Sequence, residues 1–154
     1  MHDILVVDDE PAVRTLVVSG LTGAGLAVRE AGNGRDAVAA LEAHPPLGMV
    51  LDVTMPGLDG FGVLRERRRL GLAPDTRVVL LTGRTAERDF LTGWRLGADE
   101  YLTKPFETDR VVACVQDLLA TAPAALTRRR EAELARAELL ERVEAVFARP
   151  AAGG

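Results

Sequence analysis

The chain has 154 residues, of which 47% are hydrophobic, and a formal net charge of -4 at pH 7. This length accommodates one domain with a full core and is short for two. Residues 1–121 hold 13 basic and 18 acidic side chains and residues 122–154 hold six and five, so neither part has the basic excess of a nucleic-acid-binding protein.

Short apolar runs alternate with helical patterns over most of the chain. Pro11 opens the first helical pattern and Gly23 closes it, which fits the preference for Pro in the first turn and Gly past the last. The predicted strands are residues 4–8, 27–31, 49–52, 78–82 and 100–102, and the later helices are residues 34–43, 60–70, 86–96 and 107–120. Five strands alternating with five helices predict an α/β fold, a flavodoxin-like, doubly wound parallel sheet with strand order 2-1-3-4-5.

The last part of the chain has a different composition. We interpret residues 1–121 as one domain, residues 122–126 as a linker, residues 127–149 as a C-terminal helix and residues 150–154 as a frayed tail. One apolar stripe of this helix consists of Ala132, Ala135, Leu139, Val143 and Val146. We expect Arg128, Arg129 and Arg130 to lie in a solvated turn at its start. About 30 residues are too few for an independent output domain, so we expect none here.

The sequence also bears on the cellular compartment. Cys114 is the single cysteine, so no disulfide can form within the chain, and a reducing compartment is expected. No apolar run reaches the length of a membrane span, and the N-terminus turns acidic where a signal peptide would be apolar. We therefore expect a cytoplasmic protein that does not bind membranes.

Polar residues that can carry chemistry follow the predicted strands. Asp8 and Asp9 follow strand one, Asp52 ends strand three, Thr82 ends strand four and Lys104 comes just after strand five. In an open parallel sheet, functional groups collect outside the carboxyl ends of the strands, so these groups are expected to meet at one edge. Three carboxylates in one pocket repel unless a cation neutralises them, and hard oxygen ligands favour Mg²⁺, with Mn²⁺ as the alternative ion.

Lys104 is the only lysine among 19 basic residues. A lysine presents a compact charge on a slim stem where arginine presents a wide fork, so a crowded anionic site would select it. Taken alone, Lys104 could equally be an accidental survivor of a coding bias towards arginine. The carboxylates favour a catalytic role. Mg²⁺ held by them could also bind a phosphoryl group. Asp52 would then act as the nucleophile, while Lys104 and the Thr82 hydroxyl would face the phosphoryl oxygens.

Four segments together resemble one known family. They are ILVVDDE at residues 4–10, DVTMPGLDG at residues 52–60, LLTG at residues 80–83 and GADEYLTKPF at residues 97–106. In this order they resemble the receiver domain of two-component response regulators, over about residues 1–121. The resemblance implies a switch that takes a phosphoryl group from a sensor histidine kinase or a phosphotransfer protein.

The resemblance assigns roles to individual residues. Asp52 is similar to the aspartate that accepts the phosphoryl group. Asp9 and Asp52 resemble direct Mg²⁺ ligands, the Thr54 carbonyl resembles a third, and Asp8 resembles the acid that reaches the metal through water. No other cofactor is implied.

Further residues follow from the same resemblance. Thr82 and Tyr101 look like a switch pair, in which the hydroxyl moves to the phosphoryl group and the ring turns inward behind it. The Lys104–Pro105 bond is expected to be cis. Arg84 lies two residues past Thr82, and we hypothesise that it screens the acyl phosphate from water. A solvated arginine with no such role is an equally good interpretation.

The resemblance implies a signalling protein that catalyses only its own phosphorylation and dephosphorylation. We expect phosphorylation-sensitive dimerisation through the last receiver helix and the C-terminal helix, and no direct nucleic-acid binding. One alternative is a fragment of a DNA-binding or other multidomain regulator. A haloacid-dehalogenase-type hydrolase would need a second acid where Thr54 stands, and a flavodoxin-like carrier would need a Ser/Thr-rich loop where residues 8–11 stand.

Overall fold

The computed structural model describes residues 3–83 and 87–148 of the chain. Its strands are β1 (Asp3–Val7), β2 (Ala27–Ala31), β3 (Gly48–Asp52), β4 (Arg77–Thr82) and β5 (Glu100–Thr103). Its helices are α1 (Pro11–Gly23), α2 (Gly34–Ala43), α3 (Gly60–Leu70), α4 (Glu87–Arg95), α5 (Thr108–Ala120) and α6 (Pro123–Ala148). The predicted strands and the first five helices are thus confirmed to within a few residues, and the predictions for Arg84 and for residues 149–154 lie outside the described residues.

The five strands form one parallel sheet in the order β2-β1-β3-β4-β5, which confirms the flavodoxin-like prediction. Every residue of β1 and β3 is buried, because helices cover both faces of the sheet. Two clusters of buried apolar side chains, one on each face, form the core. The central strands are therefore rigid supports for the residues at their carboxyl ends.

A glycine fixes the approach of α3 to the end of β3. The side chain of Asp59 caps α3 by accepting a 2.8 Å hydrogen bond from the Gly62 N–H. A Cβ atom on Gly60 would lie 2.4 Å from the Asp52 carbonyl oxygen, closer than real contacts allow. Gly60 therefore lets the helix begin directly behind Asp52.

The C-terminal helix corrects several expectations. It begins at Pro123, so most of the segment interpreted as a linker is helical. The stripe that includes Leu139 and Val143 is exposed, and α6 instead buries Leu126 and Ala137 and packs mainly against α4. Arg130, expected in a solvated turn, forms an ion pair 2.9 Å long with Asp99. Among the helices described, none combines the length and the apolar character needed to cross a bilayer.

Candidate functional site

Three carboxylates meet at the carboxyl edge of the sheet. One oxygen from each of Asp8, Asp9 and Asp52 lies within 4.8 Å of the others. The first and third are buried, with 1% of their surface exposed, and Asp9 is half-buried. The sheet thus brings together the three acids that the sequence indicated.

Backbone N–H groups hold one oxygen of each buried acid. Oδ1 of Asp8 accepts a 2.9 Å hydrogen bond from the Glu10 N–H, and Oδ1 of Asp52 accepts one of 3.2 Å from the Thr54 N–H. The second oxygen, Oδ2, of Asp8 and of Asp52 is buried and accepts no hydrogen bond within the described part of the chain. The nearby Lys104 ammonium balances part of this buried negative charge, and a hard divalent cation would balance more of it.

Among the described residues, Lys104 places a positive charge beside these acids. Its Nζ lies 3.3 Å from Oδ2 of Asp52 and 3.6 Å from Oδ2 of Asp8. Burial, followed by the charge of Asp8, raises the pKa of Asp52 to about 6, although Lys104 and the Thr54 N–H act in the opposite direction. Burial alone would lower the pKa of Lys104, but the Asp52 and Asp8 carboxylates together raise it. One ammonium therefore does not fully offset the crowded acids.

Thr54 and Thr82 lie beside Asp52. The side chain of Thr54 is exposed, two residues past the end of β3. Thr82 is 1% exposed and ends β4, one residue beyond the position that pairs with Asp52. The Lys104 N–H donates a 2.8 Å hydrogen bond to the Thr82 carbonyl, and the Lys104–Pro105 bond is cis.

Tyr101 packs against α4. Its hydroxyl donates a 2.7 Å hydrogen bond to the Asp89 carbonyl, and the rings of Phe90 and Trp94 meet its ring edge-on at 4.7 and 5.2 Å. Burial raises the pKa of the phenol. A Cβ atom on Gly93 would lie 1.7 Å from the Tyr101 oxygen, so the ring occupies space that only glycine leaves open. Sequence reasoning missed Gly93, whose only signal was a glycine within a helix.

Helix α6 closes over Tyr101. A cleft of about 230 Å³ has Phe90, Trp94 and Tyr101 on one side and residues of α6, including Ala137 and Leu140, on the other. Sequence reasoning did not predict this contact, since it joins segments that are far apart in the chain.

Comparison with known proteins places this geometry in a family. A model of the "Response regulator receiver domain" matches residues 4–116. The chain is 42% identical over 120 residues to "Transcriptional regulatory protein TcrA" of Mycobacterium tuberculosis, which covers 78% of this chain and 47% of that protein. It therefore spans about half the length of this relative.

Solved structures agree with this match. The chemotaxis protein CheY4 of Vibrio cholerae superposes with a TM-score of 0.72 at 30% identity, covering 77% of this chain and 98% of that one. The receiver domain of DrrB, a Thermotoga maritima protein, in a structure described as BeF3-activated, superposes with a TM-score of 0.70 at 30% identity, covering 79% and 99%.

Proposed function

Because this chain belongs to the response regulator receiver domain family, we propose that it accepts a phosphoryl group on Asp52 from a sensor histidine kinase or a phosphotransfer protein. The observation that supports this most directly is the buried Asp52 oxygen, 3.3 Å from the ammonium of Lys104 and next to two further acids. Such a carboxylate can act as a nucleophile, and the Lys104 ammonium beside it can attract the incoming phosphoryl group.

Asp8, Asp9, Asp52 and the Thr54 carbonyl would hold Mg²⁺, or Mn²⁺ as the alternative ion. The donors are hard oxygens, and two of them are buried without hydrogen bonds, which fits such an ion. When bound, the ion supplies positive charge that offsets the carboxylates and the phosphoryl oxygens.

The residues of the chain divide the reaction between them. A carboxylate oxygen of Asp52 attacks phosphorus, a new O–P bond forms, and the P–N bond of the phosphohistidine breaks with its electron pair left on the imidazole. The Lys104 ammonium attracts a phosphoryl oxygen, and the Thr82 hydroxyl donates a hydrogen bond to another. Water then attacks the phosphorus of the acyl phosphate, the O–P bond to Asp52 breaks, and inorganic phosphate leaves while the carboxylate is regenerated. The protein would thus modify only itself and act as a signalling domain.

The same proposal assigns the switch to Thr82 and Tyr101. Movement of the Thr82 hydroxyl towards the phosphoryl group would open space next to β5 and change the position of the Tyr101 ring. Since this ring lines the cleft between α4 and α6, we propose that α6 responds to the change. Residues 1–121 would thus form the receiver, and α6 would be the element that responds to its phosphorylation.

A homodimer through α5 and α6 is one output that this arrangement supports. The outer face of α6 exposes Leu139, Val143 and Val146. Their spacing of four and three residues is the spacing of the core positions of a parallel coiled coil, so a second copy of α6 could pack on this face. The name of the relative TcrA favours a second candidate, a receiver that belongs to a transcriptional regulator and leaves DNA binding to residues outside this chain.

The test is labelling by acetyl phosphate with Mg²⁺, followed by intact mass. We expect a gain of one phosphoryl group in the wild type and in the control Asp75→Asn, which alters an exposed acid far along the chain from Asp52. Asp52→Asn should gain none, and EDTA should prevent labelling. Equal labelling of the Asp52→Asn protein would reject the proposal.

A further inference from the structure

A second cleft, of about 430 Å³, lies where α3 and α4 end and α6 passes over them. Four arginines line it, namely Arg67, Arg68, Arg95 and Arg130. In the sequence these arginines belong to separate segments, since Arg67 and Arg68 lie in a basic run late in α3 and Arg130 lies in another early in α6. The fold joins members of both and adds one from α4.

Two of the four arginines are held in place by neutral partners. The buried Arg67 donates to the Thr76 carbonyl at 3.3 Å, and Arg68 donates to the Arg95 carbonyl at 2.7 Å. Arg130 pairs with Asp99 and Arg95 with Glu138, but within the described residues neither Arg67 nor Arg68 forms an ion pair with a carboxylate. Positive charge is therefore in excess at this cleft, where Glu131 is the acidic residue of the lining.

The charges act on one another. Burial lowers the pKa of Arg67, and the positive charges of Arg130 and Arg68 lower it further, against the opposite effect of Asp99. Cations near the C-terminal end of a helix are favoured by the helix dipole, which accounts for Arg68 and Arg95 individually. It does not account for a third helix that brings Arg130 to the same opening.

The remaining wall of the cleft is apolar. It includes Leu72, Pro74, Trp94 and Leu134. Guanidinium groups bind phosphate through two parallel hydrogen bonds, and an indole beside them offers a surface for an apolar or aromatic group. A volume of about 430 Å³ is within the range of small-ligand sites.

We propose that this cleft binds an organic phosphate of about the size of a mononucleotide, with the phosphate on Arg67 and Arg68 and the apolar part against Trp94 and Leu134. The ligand would touch three helices at once. Its binding would therefore hold α6 against α3 and α4, and would link the position of α6 to a small molecule as well as to Asp52.

Calorimetric titration of the full chain with AMP, UMP and glucose 6-phosphate tests this, with inorganic phosphate and adenosine as the partial ligands. Trp94 is the only tryptophan, so its fluorescence gives a second readout at the cleft itself. At least one organic phosphate should bind with 1:1 saturation and more tightly than either partial ligand. Absence of saturable binding by all three would overturn the proposal, and equal affinity for inorganic phosphate would overturn the assignment of the apolar wall.

Two variants in the same turn of α3 distinguish specific binding in the cleft from nonspecific electrostatic attraction. Arg68→Gln removes an exposed arginine that lines the cleft and should weaken binding at least about tenfold. Arg69→Gln removes an equally charged neighbour that pairs with Glu66 instead, and should change affinity by less than about twofold. Equal weakening by both variants would overturn the proposal. Thermal unfolding of each variant, which should match the wild type, establishes that it is folded.

Discussion

Nζ of Lys104 lies 3.3 Å from the buried Oδ2 of Asp52, although Asp52 ends β3, Lys104 follows β5, and β4 separates these strands in the sheet. The Lys104 N–H is bound to the Thr82 carbonyl, so the backbone of the lysine is tied to the strand between them. The main chain of Lys104 is therefore held in place, and its side chain extends from there to the carboxylate. The fit of its slim stem in this space can be tested directly.

Lys104→Arg should slow labelling by acetyl phosphate about tenfold or more. The wide guanidinium cannot occupy the position of the ammonium between Asp8 and Asp52 without displacing one of them or the phosphoryl group. Initial rates from intact mass in excess Mg²⁺ measure the effect. Arg110→Lys, the reverse exchange at an exposed site on α5, serves as the control and should label at the wild-type rate. A wild-type rate for Lys104→Arg would show that the site does not require a cationic group as small as the lysine ammonium.

Asp52→Asn should stabilise the metal-free protein. In the folded state the pKa of Asp52 is raised to about 6 from its usual value of 3.8. The folded protein therefore holds more protons between these values, and the wild type loses unfolding free energy as the pH rises through this window. Asparagine carries no charge, so in EDTA near pH 8 the variant should be more stable by about 1–3 kcal/mol.

Urea unfolding at several pH values in EDTA measures this difference. The gap between variant and wild type should shrink towards zero below about pH 4, where Asp52 is protonated in both folded and unfolded chains. Asp75→Asn, at an exposed site, should show no such gap at any pH. A constant gap across the pH range would mean that the charge of Asp52 is not its cause.

The cluster of acids beside Lys104 was predictable because of its place in the topology. Asp8, Asp52 and Lys104 each lie at or just beyond the carboxyl end of a strand, and parallel strands bring such residues to one edge of the sheet. The alternation of apolar runs with helical patterns therefore sufficed to place them. Gly60 and Gly93 were not predictable in the same way, since each is required by a neighbour that only the folded chain supplies.

The docking of α6 was not predictable, because this helix has two apolar faces. The stripe through Leu139 and Val143 is the more obvious in the sequence, yet these residues are 58% and 43% exposed, whereas Ala137 on the other face is 5% exposed. Periodicity identifies a face but not its partner. The ion pair between Arg130 and Asp99 spans 31 residues and has no local signal.

Cys114 should react slowly with thiol reagents in the folded protein. Burial in α5, followed by the charges of Glu100 and Asp117, raises the pKa of the thiol to about 12 from a usual value of 9.0. The reactive thiolate is then scarce, so alkylation by iodoacetamide near pH 8 should be at least about a hundredfold slower than in the urea-unfolded chain. The rate should keep rising with pH above 9. Equal rates in folded and unfolded protein would contradict the raised pKa of the thiol.

Arg130→Gln should lower the unfolding free energy by about 1–3 kcal/mol, because it leaves the buried carboxylate of Asp99 without its ion-pair partner. Burial already raises the pKa of Asp99, and the Val78 N–H would remain as its hydrogen-bond donor at 2.9 Å. Arg128→Gln removes an exposed arginine two residues earlier on α6 and should cost less than about 0.5 kcal/mol. Urea unfolding of both variants at one pH gives the comparison. Equal losses would show that the Arg130–Asp99 pair does not stabilise the packing of α6, and that other contacts, such as the Arg95–Glu138 pair and the burial of Ala137, hold the helix.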